Sequence, residues 1–268
     1  MTYWEALSGQ WIIVPPLCPS PADIAGYEGH AAAAQRGASL DALMLGLTPS
    51  IATMRWPAGT RLIATDWAAN MIRSLWGHAD TPPGALAVRG DWRELPFSDA
   101  SFDFIIGDGC YTAVGVLSEI AALNREVRRV LRTGGMFCQR CFCRPAQSLH
   151  ADELFEGLFT GRLRNLDLFR WLLAMSVQGD NDEGVRLRAV WEVWHRRVPN
   201  ALACGAQLGW SREALVNIER WRELDTCYLF PDRAQLGALL GSGMTAPSFA
   251  TPAYDYGELF PTMVSRAK

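Results

Sequence analysis

Between residues 40 and 144 the chain alternates short apolar runs with amphipathic stretches, and few architectures admit that order. DALML (41–45), RLIATD (61–66), ALAVRGD (85–91), SFDFIIGD (101–108) and MFCQRCF (136–142) read as five strands. PSIATM (49–54), WAANMIRSLWG (67–77) and residues 116–132 read as the helices between them. Along 116–132, Leu117, Ile120, Leu123, Val127, Val130 and Leu131 fall on one face, and the turn RTGG (132–135) is expected to end that helix. Strands that alternate with helices predict an α/β fold: a doubly wound, Rossmann-like parallel sheet.

After residue 144 the rhythm stops. ADELFEGLF, NLDLFRWLLAMSV, VRLRAVWEVWHRR and SREALVNIERW follow one another as helices. A helix at 232–241 precedes TAPSFATPAY and FPTMVSRA, which read as a closing antiparallel pair. Ahead of the sheet, Ser20 and Pro21 mark a helix start. The expected organisation is an N-terminal arm or lid (1–39), a core formed by 40–144 and 231–268, and an inserted helical substrate cap (145–230).

Charge narrows the partners. The formal net charge is −3, and residues 145–230 hold 10 arginines against 12 acids, so no basic stripe for nucleic acid is expected. The oligomeric state is left open. No apolar stretch approaches the length of a membrane span. MTYWEALSGQW lacks the basic start and apolar run of a signal peptide, and the seven cysteines are unevenly spaced. A cytoplasmic location is the expectation.

Ligands of such sheets bind at the carboxyl ends of the strands. There the chain offers LGLTP, TDW, GDW and GDGCY. Asp66 stands 20 residues after Gly46, the spacing at which an acid meets ribose hydroxyls. LMLGLTPSIATM (43–54) holds one glycine, too few for the close backbone approach that a pyrophosphate demands. S-adenosylmethionine (SAM) has no phosphate. It still needs a tight turn, which Gly46 can make, with Thr48 as cap of the next helix and Pro49 in its first turn.

LGLTPSIA, TDWAANMI, GDWRELPFSDASFDFIIGDG and REVRRVLRTGGMFCQRCF resemble, in order and spacing, the motifs of class I SAM-dependent methyltransferases. The resemblance spans about residues 40–144 plus the closing strands. It extends to a branch whose first motif is LGVTP-like and which carries an arm similar to Trp11–Pro21. It implies SAM as cofactor. Gly46, Thr48 and Pro49 would line its methionine end, Asp66 would take the ribose hydroxyls, and Trp67 and Met71 would flank the adenosine. Gly90 and Asp91 would meet the adenine amino group with Trp92 beside the ring. Asp108, Gly109 and Tyr111 would sit near the sulfonium, facing substrate.

Methyl transfer needs a nucleophile held in line, and for an ionisable nucleophile a base. Tyr111 and His195 are the candidate catalytic side chains; His30 and His150 sit at less suitable places. Trp11, Tyr111, Arg144 and Trp191 are the candidate substrate contacts. Arg140 and Arg144 could meet a substrate carboxylate or a salt-bridge partner. Trp171, Trp191, Trp194, Trp210 and Trp221 either pack the cap onto the sheet or build an aromatic pocket. Cys138 faces opposite to Cys141 and Cys143 on a strand, so no metal site is expected. The activity read from these features is methyl transfer to a small molecule in an enclosed pocket. Two alternatives stand beside it: attack on the aminobutyryl chain of SAM with release of methylthioadenosine, and SAM binding without catalysis.

Overall fold

The computed structural model describes residues 14–76 and 80–268. Seven strands form one sheet in the order β3-β2-β1-β4-β5-β9-β8. They are β1 (Leu40–Leu45), β2 (Thr60–Asp66), β3 (Leu86–Arg89), β4 (Phe102–Asp108), β5 (Leu131–Arg140), β8 (Ser248–Ala250) and β9 (Thr262–Arg266). The first five run parallel; β9 pairs antiparallel with β5 and with β8. The closing antiparallel pair is thus present, with β9 seated between β5 and β8.

Helices cover both faces, which is why the central strands are apolar on both sides. On one face α1 (Pro21–Ala34), α2 (Pro49–Ala52) and α3 (Ala69–Leu75) pack Tyr27, Ile51 and Met71 against Met44, Phe104 and Cys138. On the other, α4 (Cys110–Val114), α5 (Leu117–Val130) and the later helix Arg233–Leu239 pack Tyr111, Leu123 and Leu236 against Leu43, Ile105 and Phe137. Cys138 lies in the first of these cores, and Cys141 and Cys143, just past β5, in the second. α1 begins with a capping box: Ser20 accepts the Asp23 amide at 3.2 Å, and the Asp23 carboxylate accepts the Ser20 amide at 2.8 Å.

One boundary departs from the sequence reading. RTGG is part of β5 rather than a turn before it. Leu131 already pairs with Phe102, and the register shifts between there and the pairing of Met136 with Phe104. The extra residues are absorbed as an irregularity inside the ladder.

Between β5 and β9 lie α6 (Ala151–Phe159), α7 (Leu166–Gln178), α8 (Leu187–Arg197), α9 (Ala201–Leu208) and α10 (Arg212–Glu219). They hold their own core, in which Phe155, Phe169, Trp194 and Trp221 are buried. α9 was not foreseen. Nor was the two-stranded ribbon of β6 (Val185–Arg186) and β7 (Cys227–Tyr228), which starts the α8 helix at Leu187 rather than Val185. The last helix of the chain, α11, is Arg233–Leu239.

Candidate active site

A cavity of about 300 Å³ opens where the carboxyl ends of β1, β2 and β4 meet the helical segment. One half is made by the sheet. β1 gives way to Gly46, whose φ of +84° only glycine adopts without strain. The Gly46 amide donates to the Thr65 carbonyl at 2.8 Å, and the Trp92 indole N–H donates to the same oxygen at 2.9 Å. A Cβ on Gly46 would stand 3.5 Å from the Trp92 ring and 4.0 Å from Asp66 Oδ2.

Asp66, at the tip of β2, is 8% exposed and accepts the Ala68 amide at 2.8 Å. Burial pushes its pKa up to about 6, offset in part by that one bond. Asp91 differs. Arg93 grips its carboxylate with Nε at 2.8 Å and Nη2 at 2.5 Å, and holds its pKa below the usual carboxylate range. Arg93 also reaches Glu119 at 2.6 Å.

The floor is Asp108, at the end of β4. Its two oxygens accept Nε and Nη2 of the wholly buried Arg140 at 2.7 and 3.1 Å. Burial pushes the Asp108 carboxyl up, and the Arg140 charge and hydrogen bonds oppose this. Gly109, at φ +68°, turns the chain into α4, and a Cβ there would lie 2.8 Å from the Phe142 ring.

The other half of the cavity is aromatic. Phe142, just past β5, meets Trp171 of α7 edge to face at 5.0 Å. Trp171 stacks on Tyr228 of β7 at 5.2 Å and 5° between planes. Arg170 and Thr226 complete this wall, and Leu17 closes it from the N-terminal side. The Arg170 guanidinium pairs with Asp167 at 2.9 Å and lies 5.3 Å from the centre of the Trp221 ring.

Residues 43–139 match the family model described as a methyltransferase domain. Over that span the chain is similar to a methyltransferase domain. Among solved structures it is similar to a SAM-dependent methyltransferase from Methanosarcina mazei, with 16% identity, 94% of this chain and 99% of that one covered, and a TM-score of 0.52. It is similar to the CcbJ methyltransferase from Streptomyces caelestis at 15% identity, covering 100% and 98%, with a TM-score of 0.55. A protein of Rhodobacter sphaeroides named among Zn-dependent alcohol dehydrogenases gives 14% identity, 99% and 96% coverage and a TM-score of 0.61. At such identities the likeness speaks for the fold alone. Among curated proteins, no sequence matches this one.

Methyltransferase domains of this class draw on SAM, and the residues present suit it. Asp66 is a buried carboxylate with no cation beside it among the described residues, a natural acceptor for hydroxyl donors. The single glycine leaves room at the β1 turn without a phosphate cradle. Gly46, Thr48, Asp66, Trp67, Met71, Asp91, Trp92, Asp108 and Gly109 all line the cavity. Pro49 and Gly90 stand beside it: Pro49 opens α2, and the Gly90 amide donates to the Asp66 carbonyl at 3.1 Å.

Several expectations about the methyltransferase domain and its insert need correction. Thr48 makes no side-chain cap; only its carbonyl serves the helix, accepting the Ile51 and Ala52 amides at 3.0 Å each. Tyr111 is 1% exposed and points into the core, where its hydroxyl donates to Asn124 Oδ1 at 2.6 Å. Burial holds its pKa well above the tyrosine range, so it is no base. His195 lies on the outer side of α8, exposed and stacked on Trp191 at 4.7 Å. Trp191 gives its N–H to Glu219 at 3.0 Å, away from the cavity. Arg144 pairs with Asp182 and Asp232 at 3.0 and 3.3 Å and does not line the cavity. Trp11 lies outside the described residues.

Phe142, Arg170, Thr226, Tyr228 and Leu17 were missed, and Trp171 was not separated from the packing tryptophans. Ten of the thirteen residues of α7 are buried, so no periodicity marks the one that faces the cavity.

Proposed function

We propose that the protein transfers a methyl group from SAM to a small, largely apolar molecule held against Phe142, Trp171 and Tyr228. The observation that carries this reading is one cavity bounded on one side by the strand tips of the methyltransferase domain and on the other by an aromatic wall. When bound, SAM supplies a methyl carbon already activated by its sulfonium. The chain's own part is to bind and align. Asp66 accepts hydrogen bonds from the ribose hydroxyls, Trp67 and Met71 flank the adenosine, and Asp91 takes the adenine amino group beside Trp92. The aromatic wall excludes water and sets the acceptor plane. The paired Asp108 and Arg140 leave the floor electrically balanced.

The helical segment 145–230 is then the substrate cap, and the N-terminal arm (1–39) its lid. Enclosure favours a small acceptor over a protein or polynucleotide. Seven unevenly spaced cysteines support a reducing, cytoplasmic setting. No helix among the described residues is long and apolar enough to cross a membrane.

Calorimetric titration with adenosylhomocysteine, with NADH as control, tests the reading. Micromolar binding of the first alone supports it. Binding of NADH alone, or of neither, overturns it.

A further inference from the structure

Arg140 touches three walls of the cavity at once. Besides the two Asp108 oxygens, Nη1 donates to the Pro16 carbonyl at 2.6 Å and Nη2 to the Leu17 carbonyl at 3.1 Å. Its Cζ stands 5.1 Å from the centre of the Phe142 ring. Asp108, Leu17 and Phe142 all line the cavity.

The same short segment is held from its other side. Asn165, the N-cap of α7, donates Nδ2–H to the Pro15 carbonyl at 3.0 Å. The Val14 amide donates to Asp167 at 3.4 Å, and the Leu17 amide closes a turn on the Val14 carbonyl at 3.0 Å. Residues 14–17 therefore bridge the tip of β5 and the start of α7, with the Leu17 side chain turned into the helical core.

A buried ion pair contributes little net stability, since desolvating both charges offsets their attraction. Here the guanidinium does more than neutralise Asp108. Its planar fork has five donors, and those left over from the carboxylate capture two successive backbone carbonyls. A lysine, a single point of charge, lacks the planar fork that meets the carboxylate and both carbonyls at once.

We propose that Arg140 is a positioning residue that latches residues 14–17 over the cavity, so that the cofactor exchanges only after the Pro16 and Leu17 carbonyls let go. The proposal rests on reading the cavity as the SAM site. It makes the arm's opening rate, rather than the cavity's affinity alone, the control on cofactor turnover.

The test uses the full chain, Arg140→Lys and Asn165→Asp. The aspartate keeps the α7 cap and turns the donor to Pro15 into a charged acceptor that repels its carbonyl. Hydrogen exchange is followed at the Val14, Leu17 and Cys18 amides without ligand, and adenosylhomocysteine release is followed by stopped-flow tryptophan fluorescence. In both variants these amides should exchange at least tenfold faster while those of β4 and β5 do not change, and release should accelerate at least tenfold. A general loss of stability would move the sheet amides as well. If Arg140→Lys does not fold, Asn165→Asp decides. Unchanged exchange at the arm, or an arm freed without faster release, overturns the latch. Should adenosylhomocysteine not bind the parent protein, the function proposed above fails, and the ligand-free exchange still decides whether the arm is latched.

Discussion

The Asp66 carboxylate takes one hydrogen bond from its surroundings, the Ala68 amide at 2.8 Å, and burial raises its pKa to about 6. Ribose hydroxyls donate best to the ionised form. Adenosylhomocysteine should therefore bind about tenfold more weakly at pH 5 than at pH 7.5. Asp91, held low by Arg93, does not titrate in that window. Calorimetry at the two pH values checks this; equal affinities would remove Asp66 from the ribose.

The same shift makes Asp66 a stability cost. Its folded pKa lies above the ordinary 3.8, so the folded state retains a proton that the unfolded chain gives up. The cost is absent below pH 4, grows between pH 4 and 6, and stays in full above that, at about 3 kcal/mol at most. Asp66→Asn should thus be more stable than the parent in denaturant titrations at pH 7.5, with the gap closing at pH 4, and should bind cofactor more weakly by about 1–3 kcal/mol.

Gly46→Ala forces an L residue to φ +84°, at about 1–2 kcal/mol. Its Cβ meets Trp92 only at ordinary contact distance, so the fold should persist with a lower melting temperature. Cofactor affinity should fall more than stability does, because the new methyl stands between Trp92 and Asp66.

Trp171→Phe should leave adenosylhomocysteine binding unchanged and raise the KM of whatever acceptor is turned over, because the stack on Tyr228 is lost from the aromatic half alone.

Tyr111→Phe strands a buried Asn124 oxygen and should cost about 1–3 kcal/mol in stability without changing kcat. His195→Ala should change neither. A large fall in kcat for either variant, with the fold intact, would restore that residue to the chemistry.

The sheet could be read from the sequence because its strands are apolar on both faces and end at acids: Asp66 and Asp108 close β2 and β4 where their motifs put them. The acceptor side could not. Tyr111, at the end of the fourth strand, is expected to face substrate, but Gly109 in its left-handed conformation starts a helix there and sends the ring inward. Tyr228 reaches the cavity through a two-residue ribbon, and Leu17 through a hydrogen bond from a residue 123 positions away. Contacts of that range leave no local pattern. Trp191 and Trp171 look alike in sequence; only the packing of α7 and α8 separates the one at the edge of the helical core from the one facing the cavity.

Leu17, Phe142, Trp171 and Tyr228 all belong to the core of the helical segment, whereas Met71 and Trp92 pack with the two cores on the faces of the sheet. Energetic effects of substitutions in separate cores add with little cross-talk. On the function proposed above, a lineage can therefore repack the helices, swapping Leu172 or Phe169 for side chains of another shape, and present a new wall to a new acceptor while the methyl-donor half is inherited unaltered. Change of acceptor is in this architecture a matter of drift in one core, shielded from selection on the other two.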